Sequence, residues 1–251
     1  MSPTHIRQLL GLGRLKTALR RLLNRLGYDV GRFVVDAGPR INVLELAVRD
    51  AVASTPDFFF LQVGANDGKL DDPLYPLIVR HRLRGLLVEP MPDSFAALRE
   101  NFADQPQLLF ENCAIGAHDG EQELFRVRPG AYDNVGIQGM AGFNRDVIVR
   151  HKSYYPGLER NIECLRVRTM TFASLMRTHG ITHVDLVVVD TEGYDFEILK
   201  MVFGSGMRPR IVSYEHVHLS IADQLACREM LIEYGYGFAA TRFDTVALRP
   251  E

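Results

Sequence analysis

Short apolar segments alternate with segments of helical hydrophobic period along most of the chain. Residues 58–63 form the first apolar segment, whose length and continuous hydrophobicity are typical of a buried strand. The same pattern predicts strands over residues 86–89 and 108–113, with a helix in each interval. Strands that alternate with helices predict an α/β fold with a parallel sheet and right-handed crossovers.

Residue types at helix starts add detail to this pattern. Asp72 with Pro73 is a predicted helix start, and Asp93 or Ser94 is the predicted cap of the next helix. Ser220 is the predicted cap of a helix that extends to residue 234. Farther along we predict strands over residues 123–127, 163–169, 184–190 and 210–215, a helix over residues 172–178, and a closing hairpin over residues 237–248.

Residues 129–161 interrupt the alternation, because they contain five glycines and follow no regular period. We therefore predict an insert loop over residues 129–162, and a loop of this length in a compact domain is usually a lid or a binding loop. His151, Tyr154 and Tyr155 lie within it and either contact a substrate or, as we favour, are ordinary surface residues.

The N-terminal residues differ from the rest in charge. Residues 1–32 hold seven lysines and arginines and one acid, with leucines at helical spacing, which predicts a basic amphipathic helix. A second helix is predicted over residues 42–54, with Asn42 and Glu45 at capping-box spacing. Residues 1–56 thus form a predicted helical extension of a domain at 57–251. The basic helix either contacts a membrane surface or, as we favour, packs on a neighbour, such as a second copy in a homodimer.

Composition narrows the class of protein. The chain has 251 residues, 47% of them hydrophobic, and a formal net charge of −2. These values exclude a disordered or fibrous chain, and they argue against a nucleic-acid partner held by bulk positive charge. The three widely spaced cysteines fit no zinc motif, so we interpret them as free thiols of a cytoplasmic protein. No apolar run reaches the roughly 18 residues of a membrane span, and we expect no secretory signal.

A glycine turn follows the first predicted strand, with the sequence Gly64-Ala65-Asn66-Asp67-Gly68. Closely spaced glycines after a strand let the backbone approach a ligand and aim a helix N-terminus at it. The G-x-x-x-G spacing differs from the dinucleotide fingerprint G-x-G-x-x-G. Asp67 would repel phosphates but would suit a cationic ligand. The alternative is a purely structural turn.

An acid and a polar strand end extend this candidate site. Glu89 lies 21 residues after Gly68, the spacing at which an acid often binds ribose hydroxyls, although it would also suit a surface position. Asn112, Cys113 and Ala114 end the third predicted strand, where an adenine ring would lie. Together these residues favour a nucleoside-binding site.

Two further polar groups end later strands, where open parallel sheets bind ligands. The first is Asp190-Thr191-Glu192-Gly193, and the second is Glu215-His216-Val217-His218. Acids at the end of an apolar strand are costly unless they bind something, although one of them could cap a helix. Side chains alternate along a strand, so Glu215 and His216 are predicted to point to opposite faces.

These residues together resemble those of the FkbM-type class I S-adenosylmethionine-dependent methyltransferases, over roughly residues 57–250. The resemblance implies a Rossmann-like, seven-stranded and mostly parallel sheet, whose last strand is antiparallel and inserted by the closing hairpin. It implies O-methylation of sugar, glycan or natural-product hydroxyls. It also implies a cofactor site, in which Gln62 stands where the family usually has an acid, formed by Gln62, Gly64, Ala65, Asn66, Asp67, Gly68, Glu89, Asn112, Cys113 and Ala114.

The hypothesis for catalysis follows from the acids at the strand ends. An aliphatic hydroxyl is a poor nucleophile, so a base or a metal ion is expected, with candidates Asp190, Glu192, Glu215 and His216. We choose Asp190 first. Asp190 and Glu215 end neighbouring predicted strands and are candidate ligands of Mg²⁺, although a metal-free base fits equally well. Residues 130–161 would form much of the acceptor pocket.

Two other functions compete with methyl transfer. A nicotinamide-dependent oxidoreductase shares the strand–helix alternation, but the glycine spacing argues against it. A non-catalytic nucleoside-binding module, attached to a membrane through the N-terminal helix, would need the glycine turn but not the acids at 190, 192 and 215.

Overall fold

The structure, a computed structural model, describes residues 42–133 and 135–250. The predicted basic helix of residues 1–32 lies outside the described residues. The strands of the described part are β1 (Phe59–Val63), β2 (Arg84–Val88), β3 (Leu108–Glu111), β4 (Ala114–Ile115), β5 (Gly120–Val127), β6 (Ala141–Gly142), β7 (Ile162–Met170), β8 (Leu186–Val189), β9 (Ile211–Glu215), β10 (Gly237–Ala240) and β11 (Asp244–Leu248). The helices are α1 (Val43–Ser54), α2 (Tyr75–His81), α3 (Pro92–Asn101), α4 (Val135–Gly139), α5 (Arg145–Val149), α6 (Phe172–His179), α7 (Asp195–Gly204) and α8 (Ile221–Glu233), with 3₁₀ helices at Arg150–Ser153 and Leu158–Arg160.

The main sheet has seven strands in the order β10-β11-β9-β8-β1-β2-β3. β1 pairs in parallel with β2 and β8, and β8 pairs in parallel with β9. β11 lies between β9 and β10 and is antiparallel to both. The Rossmann-like sheet with an inserted antiparallel last strand is therefore confirmed.

The order of the strands defines a crevice. The chain runs from β1 outward through β2 to β3, whereas β8 pairs on the opposite side of β1 and leads outward to β9. The topological switch point of the sheet is thus the β1–β8 pair, and ligands of open α/β sheets bind at the carboxyl ends of the strands there. Val63 pairs with Val189 at those ends, so the loops after both strands begin side by side.

Helices cover both faces of this sheet because the strand residues alternate in direction. Phe60 points to the side of α1, α2 and α3, whereas Leu61 points to the side of α6, α7 and α8. Both side chains are completely buried. This arrangement explains why the central strands are apolar throughout instead of alternating with polar residues.

α1 packs on the same core as the sheet. The Asn42 side chain accepts a hydrogen bond from the Glu45 backbone N–H at 3.1 Å, as the capping pattern predicts. Leu44, Val48 and Ala51 are buried in the cluster that surrounds Phe60. This helix of the predicted N-terminal extension therefore belongs to one compact unit with the sheet, residues 41–251.

A second, four-stranded sheet has the order β4-β7-β5-β6. It contains the strands predicted over residues 123–127 and 163–169, which pair with each other as β5 and β7. The prediction of a strand over residues 108–113 is wrong at its end. β3 stops at Glu111, and Ala114 and Ile115 pair with β7 instead of continuing the main sheet.

The insert contains regular structure, which its glycine content concealed. Residues 135–160 include two short helices, one strand and two 3₁₀ helices. They enclose a small core with the end of β5, formed by Val127, Ile137, Met140, Ile148 and Leu158.

Two predicted helix starts are also displaced. α2 begins at Tyr75, because Asp72 uses one carboxylate oxygen to accept the N–H groups of Leu74 and Tyr75 in a turn that precedes the helix. α3 begins at Pro92, before the predicted caps, because proline suits the first turn of a helix. Ser220 caps α8 as predicted, since its hydroxyl accepts from the Asp223 N–H. Among the described residues, no helix has both the length and the apolar character needed to cross a membrane.

The burial of α1 generates a prediction for stability. Leu44 is 4% exposed and Leu46, on the opposite face of the same helix, is 53% exposed. We expect Leu44→Ala to lower the free energy of unfolding by about 2–5 kcal/mol, and the control Leu46→Ala to change it by about 0.5 kcal/mol or less. Urea unfolding of the full chain measures both values. Equal effects of the two variants would contradict the packing of α1 on the core.

Candidate active site

The loops after β1 and β8 meet backbone to backbone at the switch point. Gly64 has a φ of +84°, and a Cβ at this position would lie 1.7 Å from the carbonyl oxygen of Asp190. Both the conformation and the contact therefore require glycine here. The Gly64 N–H donates to the Val88 carbonyl at 3.0 Å, which ties the same loop to β2.

The rest of the glycine turn is held by local contacts. Ala65 is buried, and its N–H also donates to the Val88 carbonyl, at 3.1 Å. Asn66 has a φ of 46°, a left-handed conformation that asparagine tolerates. Asp67 accepts hydrogen bonds from the N–H groups of Lys69 and Leu70, so its carboxylate closes the turn.

Gly68 has a structural reason to be glycine. Its φ is +69°, and a Cβ there would lie 2.3 Å from Leu98 Cδ1 and 2.6 Å from Phe102 Cε2. α3 and the residue after it fill the space beneath this turn. Of the two glycines in the predicted motif, Gly64 faces the crevice between the loops and Gly68 lets α3 pack closely.

Glu89 connects the first loop to the end of β2. Its side chain is 5% exposed, and its two carboxylate oxygens accept the N–H groups of Asn66 and Met91, both at 2.8 Å. Burial, helped by the carboxylates of Asp93 and Asp190, raises the pKa of Glu89 to about 7. Each oxygen keeps a second lone pair that can accept a hydroxyl.

Gln62 and Asp72 form a buried pair beside the glycine turn. Gln62 is 4% exposed and donates from Nε2 to Asp72 Oδ2 at 2.8 Å. Gln62 Oε1 is buried and has no hydrogen-bond partner. Burial raises the pKa of Asp72 to about 6. Asp72 thus places a carboxyl group next to the position where the family usually has an acid.

The three residues predicted to bind adenine either contact the backbone after β2 or lie in the core. Asn112 donates from Nδ2 to the carbonyl oxygens of Glu89 at 2.7 Å and Pro90 at 3.1 Å. Cys113 and Ala114 are buried, Cys113 completely. Asn112 therefore lies beside Glu89, and the binding of adenine by these three residues stays a prediction.

The loop after β8 carries two acids in different surroundings. Asp190 is open to solvent on the crevice side, yet desolvation by surrounding protein raises its pKa to about 6, helped by the like charges of Asp244 and Asp72. Glu192 has a φ of 54°, a left-handed conformation that costs energy for a residue other than glycine. Burial and the neighbouring carboxylates of Asp190 and Asp195 raise the pKa of Glu192 well above its ordinary value.

Asp195, at the start of α7, holds this loop in place. It is completely buried and accepts hydrogen bonds from the Thr191 hydroxyl at 3.0 Å, the Gly193 N–H at 3.2 Å and the Glu215 N–H at 3.1 Å. Burial raises its pKa to about 7. Sequence reasoning missed this residue, because an acid in the first turn of a helix is ordinary and its burial depends on β9.

His218, and not His216, joins the acids of the two loops. His218 Nε2 lies 3.1 Å from Glu192 Oε2 and 3.5 Å from Glu215 Oε2. Burial, helped by the neighbouring His151 and Arg150, lowers the pKa of His218 to about 4, so its ring is neutral at pH 7.

His216 points the other way, and its Nδ1 lies 3.1 Å from the hydroxyl of Thr245 on β11. β9 ends at Glu215, so the strand alternation on which the predicted opposite directions of Glu215 and His216 depend does not extend to His216. The catalytic role given to His216 from the sequence stays a prediction.

The insert covers this end of the sheet. A Cβ at Gly142 would lie 3.4 Å from Glu192 Cβ, and the ring of Phe143 packs edge to face on Tyr194 at 5.0 Å. His151 packs on His218 with ring centroids 5.4 Å apart. His151 is thus partly buried, and its interpretation as an ordinary surface residue stays a prediction, whereas Tyr154 is 79% exposed, as expected.

The fold and this site define a class of protein. A seven-stranded sheet with an inserted antiparallel strand, a glycine turn at the switch point and acids at the ends of β2 and β8 is the arrangement implied for a class I S-adenosylmethionine-dependent methyltransferase. The family model described as the methyltransferase FkbM domain matches residues 62–238. The chain therefore belongs to the FkbM methyltransferase family, which favours methyl transfer over nicotinamide-dependent oxidation.

Solved structures with a similar fold are distant in sequence. A methyltransferase FkbM from Methylobacillus flagellatus KT is 15% identical with a TM-score of 0.47, and the match covers 76% of this chain but 44% of that chain. A putative caffeoyl-CoA O-methyltransferase from Staphylococcus aureus is 9% identical with a TM-score of 0.42, and the match covers 98% of this chain and 100% of that chain. No curated protein matches the chain.

The loss of stability on substitution of Gly64 should include both backbone strain and steric overlap, and a second glycine separates the two effects. Gly157 in the insert has a similar φ of +77°, but a Cβ there would meet nothing within 4 Å. We expect Gly157→Ala to lower the free energy of unfolding by about 1–2 kcal/mol, through the left-handed conformation alone. Gly64→Ala should lower it by clearly more, because the added methyl group displaces the Asp190 loop. Equal losses in urea unfolding would contradict the close contact of the two loops.

The raised pKa values predict how the free energy of unfolding changes with pH. The carboxyl groups of Asp72 and Asp190 have pKa values of about 6, and those of Glu89 and Asp195 of about 7. Each is raised above its unfolded value, so between about pH 4 and pH 7 the folded chain binds more protons than the unfolded chain. We expect the free energy of unfolding to fall as the pH rises through this range. The lowered pKa of His218 has the opposite effect on the free energy of unfolding, but the four carboxyl groups outweigh it.

Asp72→Asn is the matched variant for this measurement. The new amide keeps the shape of Asp72, and Gln62 can rotate its own amide so that Oε1 accepts the new N–H. The variant should therefore fold and show a shallower pH slope between about pH 4 and pH 6, since one titrating group is gone. A slope equal to that of the wild type would contradict the raised pKa of Asp72.

Proposed function

We propose that this methyltransferase moves the methyl group of S-adenosylmethionine to a hydroxyl oxygen of a sugar, a glycan or a natural product. The observation that carries the proposal is the acidic lining of the crevice between β1 and β8. Apart from burial, the charges that raise the pKa of Asp190 are those of Asp244 and Asp72, and those that raise the pKa of Glu89 are Asp93 and Asp190. The site therefore presents several carboxylates to a ligand.

An acidic crevice fits a cationic cofactor. When bound, S-adenosylmethionine supplies an activated methyl group on a positively charged sulfonium, and its amino group is a second cation. The pyrophosphate of a dinucleotide would instead be repelled by Asp67, Asp72 and Asp190. The same carboxylates also stabilise the cation more strongly in a partly desolvated crevice than they would in water.

Residues of the first two loops would hold the parts of the cofactor. Gln62 Oε1 is a buried acceptor without a hydrogen-bond partner, which suits the amino group. Gly64 lets the loops after β1 and β8 meet, so that residues of both loops can contact the methionine part of the cofactor. Glu89 keeps free lone pairs for ribose hydroxyls, while Asn112 holds the backbone of Glu89 in place for this role.

Asp190 is the proposed general base. A pKa of about 6 leaves its carboxylate mostly ionised at pH 7 and makes it a stronger proton acceptor than an ordinary aspartate. It would accept the proton that the acceptor hydroxyl loses as the oxygen gains the methyl group. Its exposure toward the crevice lets an acceptor reach it. Glu192 is buried more deeply beside it and would bind a second polar group of the acceptor.

The carboxylates at the strand ends support the proposal that the molecule which receives the methyl group is rich in hydroxyl groups. Carboxylates accept hydrogen bonds from hydroxyl groups, and three acids lie at or just after the ends of neighbouring strands: Asp190 and Glu192 in the loop after β8, and Glu215 at the end of β9. The aromatic pair Phe143 and Tyr194 borders Glu192 and offers an apolar surface of the kind on which a sugar ring or a natural-product scaffold packs.

Binding and turnover together test the proposal. Calorimetric titration with S-adenosylhomocysteine should show saturable binding, whereas NAD should not bind. Turnover is measured as release of S-adenosylhomocysteine from S-adenosylmethionine with a panel of mono- and oligosaccharides and hydroxylated natural products. Binding without turnover on any acceptor would favour the non-catalytic nucleoside-binding module. Turnover with amine or thiol acceptors alone would exclude O-methylation.

Asp190→Asn should abolish turnover and leave the affinity for S-adenosylhomocysteine within about tenfold, because it removes the base and keeps the shape of the crevice. Glu121→Gln is the control, since Glu121 is an exposed acid on β5 whose partner Arg166 lies 3.9 Å away. The control should keep full turnover. Unchanged turnover in Asp190→Asn would refute the role of Asp190 as the base.

A further inference from the structure

Three metal-binding side chains converge at the ends of β8 and β9. Glu192 comes from the loop after β8, Glu215 ends β9, and His218 follows three residues later. One donor atom from each residue lies within 4.8 Å of the other two. Within the described part of the chain, no other set of three histidine, cysteine or acidic residues meets this condition. The set includes Glu215 but not Asp190, the other Mg²⁺ ligand considered from the sequence.

The carboxylate oxygens of this cluster are buried and unpartnered. Glu192 Oε2 and Glu215 Oε2 are both shielded from solvent, and neither has a hydrogen-bond partner. The 3.1 Å approach of His218 Nε2 to Glu192 Oε2 is therefore close without being aligned as a hydrogen bond. Buried polar atoms normally have partners, and two adjacent acids that lack them point to a missing cation.

The distances within the cluster fit one metal ion. Ligand atoms bound to the same ion at about 2.1 Å lie about 3.0 Å apart in octahedral and about 3.4 Å apart in tetrahedral geometry. The distances from His218 Nε2 to the two carboxylate oxygens are 3.1 Å and 3.5 Å. The two carboxylate donor atoms lie within 4.8 Å of each other, so a movement of these side chains toward each other would bring all three donors to one ion.

The type of donor selects the type of ion. Mg²⁺ and Ca²⁺ prefer sites made only of oxygen, whereas an imidazole nitrogen suits first-row transition metals and zinc. We propose that Glu192, Glu215 and His218 bind a divalent transition-metal ion of the Mn²⁺, Fe²⁺ or Zn²⁺ type. Two carboxylates and one histidine on one side of the ion leave coordination positions for water or for an acceptor.

The surrounding structure holds these ligands in place before an ion arrives. Asp195 accepts the N–H groups of Gly193, next to Glu192, and of Glu215. It therefore joins the two backbone segments that carry the carboxylates. His151 packs on the ring of His218 from the insert and limits its rotation. Such outer contacts orient metal ligands in many proteins.

The role of the ion rests on the proposed function. An ion at this position would bind an acceptor hydroxyl in one of its open positions and lower the pKa of that hydroxyl. Asp190, two residues before Glu192, would then receive the proton. The binding of the ion itself depends only on the three ligands, so it can be measured without cofactor or acceptor.

The test is a metal titration of the chelator-treated full chain, with Mn²⁺ followed by electron paramagnetic resonance and Zn²⁺ by calorimetry. We expect one ion per chain, with Mg²⁺ bound clearly more weakly than either. Glu215→Gln and His218→Ala should each weaken Mn²⁺ binding by about tenfold or more. His216→Ala is the matched control, because His216 lies on the same segment but contacts Thr245, and its Mn²⁺ affinity should equal that of the wild type.

A second measurement guards against loss of folding in the variants. Glu192→Gln keeps the shape of the side chain and removes a buried acid beside Glu215, so the metal-free variant should melt at the same temperature as the wild type or higher. Mn²⁺ should raise the melting temperature of the wild type and not of this variant.

Absence of stoichiometric Mn²⁺ and Zn²⁺ binding, or equal affinity in Glu215→Gln and the wild type, would overturn the metal site. That result would leave O-methylation untouched if S-adenosylhomocysteine binding and turnover persist. Conversely, metal binding without any turnover would contradict the function and keep the site.

Discussion

The contact between the Gly64 backbone and the carbonyl of Asp190 is the constraint on which the site depends. β1 and β8 are neighbours in the sheet although more than one hundred residues separate them, and their loops leave the sheet at the switch point. Because no side chain fits between the loops, the glycine turn, the Glu89 carboxylate and the acids after β8 share one crevice. A larger separation would divide the cofactor side from the acceptor side.

The raised pKa values of the acids in the crevice follow from the close approach of these loops. Asp72, Glu89, Asp190 and Asp195 each lie close to other acids, and burial raises the pKa of each of them. Acids held together in this way destabilise the ligand-free chain at neutral pH, and a cationic ligand relieves that repulsion. The relief of this repulsion would add to the free energy of ligand binding. Perturbed pKa values of this kind are common at functional sites.

The insert and the second sheet complete the site from the outside. The insert has its own small core, so its position relative to the strand ends is set by packing and not by a flexible loop. It brings Phe143 to Tyr194 and His151 to His218, two contacts that enclose the acids after β8 and β9. One segment therefore contacts both the loop after β8 and the histidine of the acidic cluster.

Outside residues 129–162, most strands and helices could be predicted from the sequence, because hydrophobic period and capping residues act locally. The buried strands, the caps at Asn42 and Ser220 and the glycine turn were all predictable in this way. Tertiary structure decided which distant residues meet. It placed His218 instead of His216 beside the acids, and it buried Asp195 beneath two loops. Side-chain direction after a strand depends on how the chain turns, and burial depends on the neighbouring strand, so neither is encoded in local spacing.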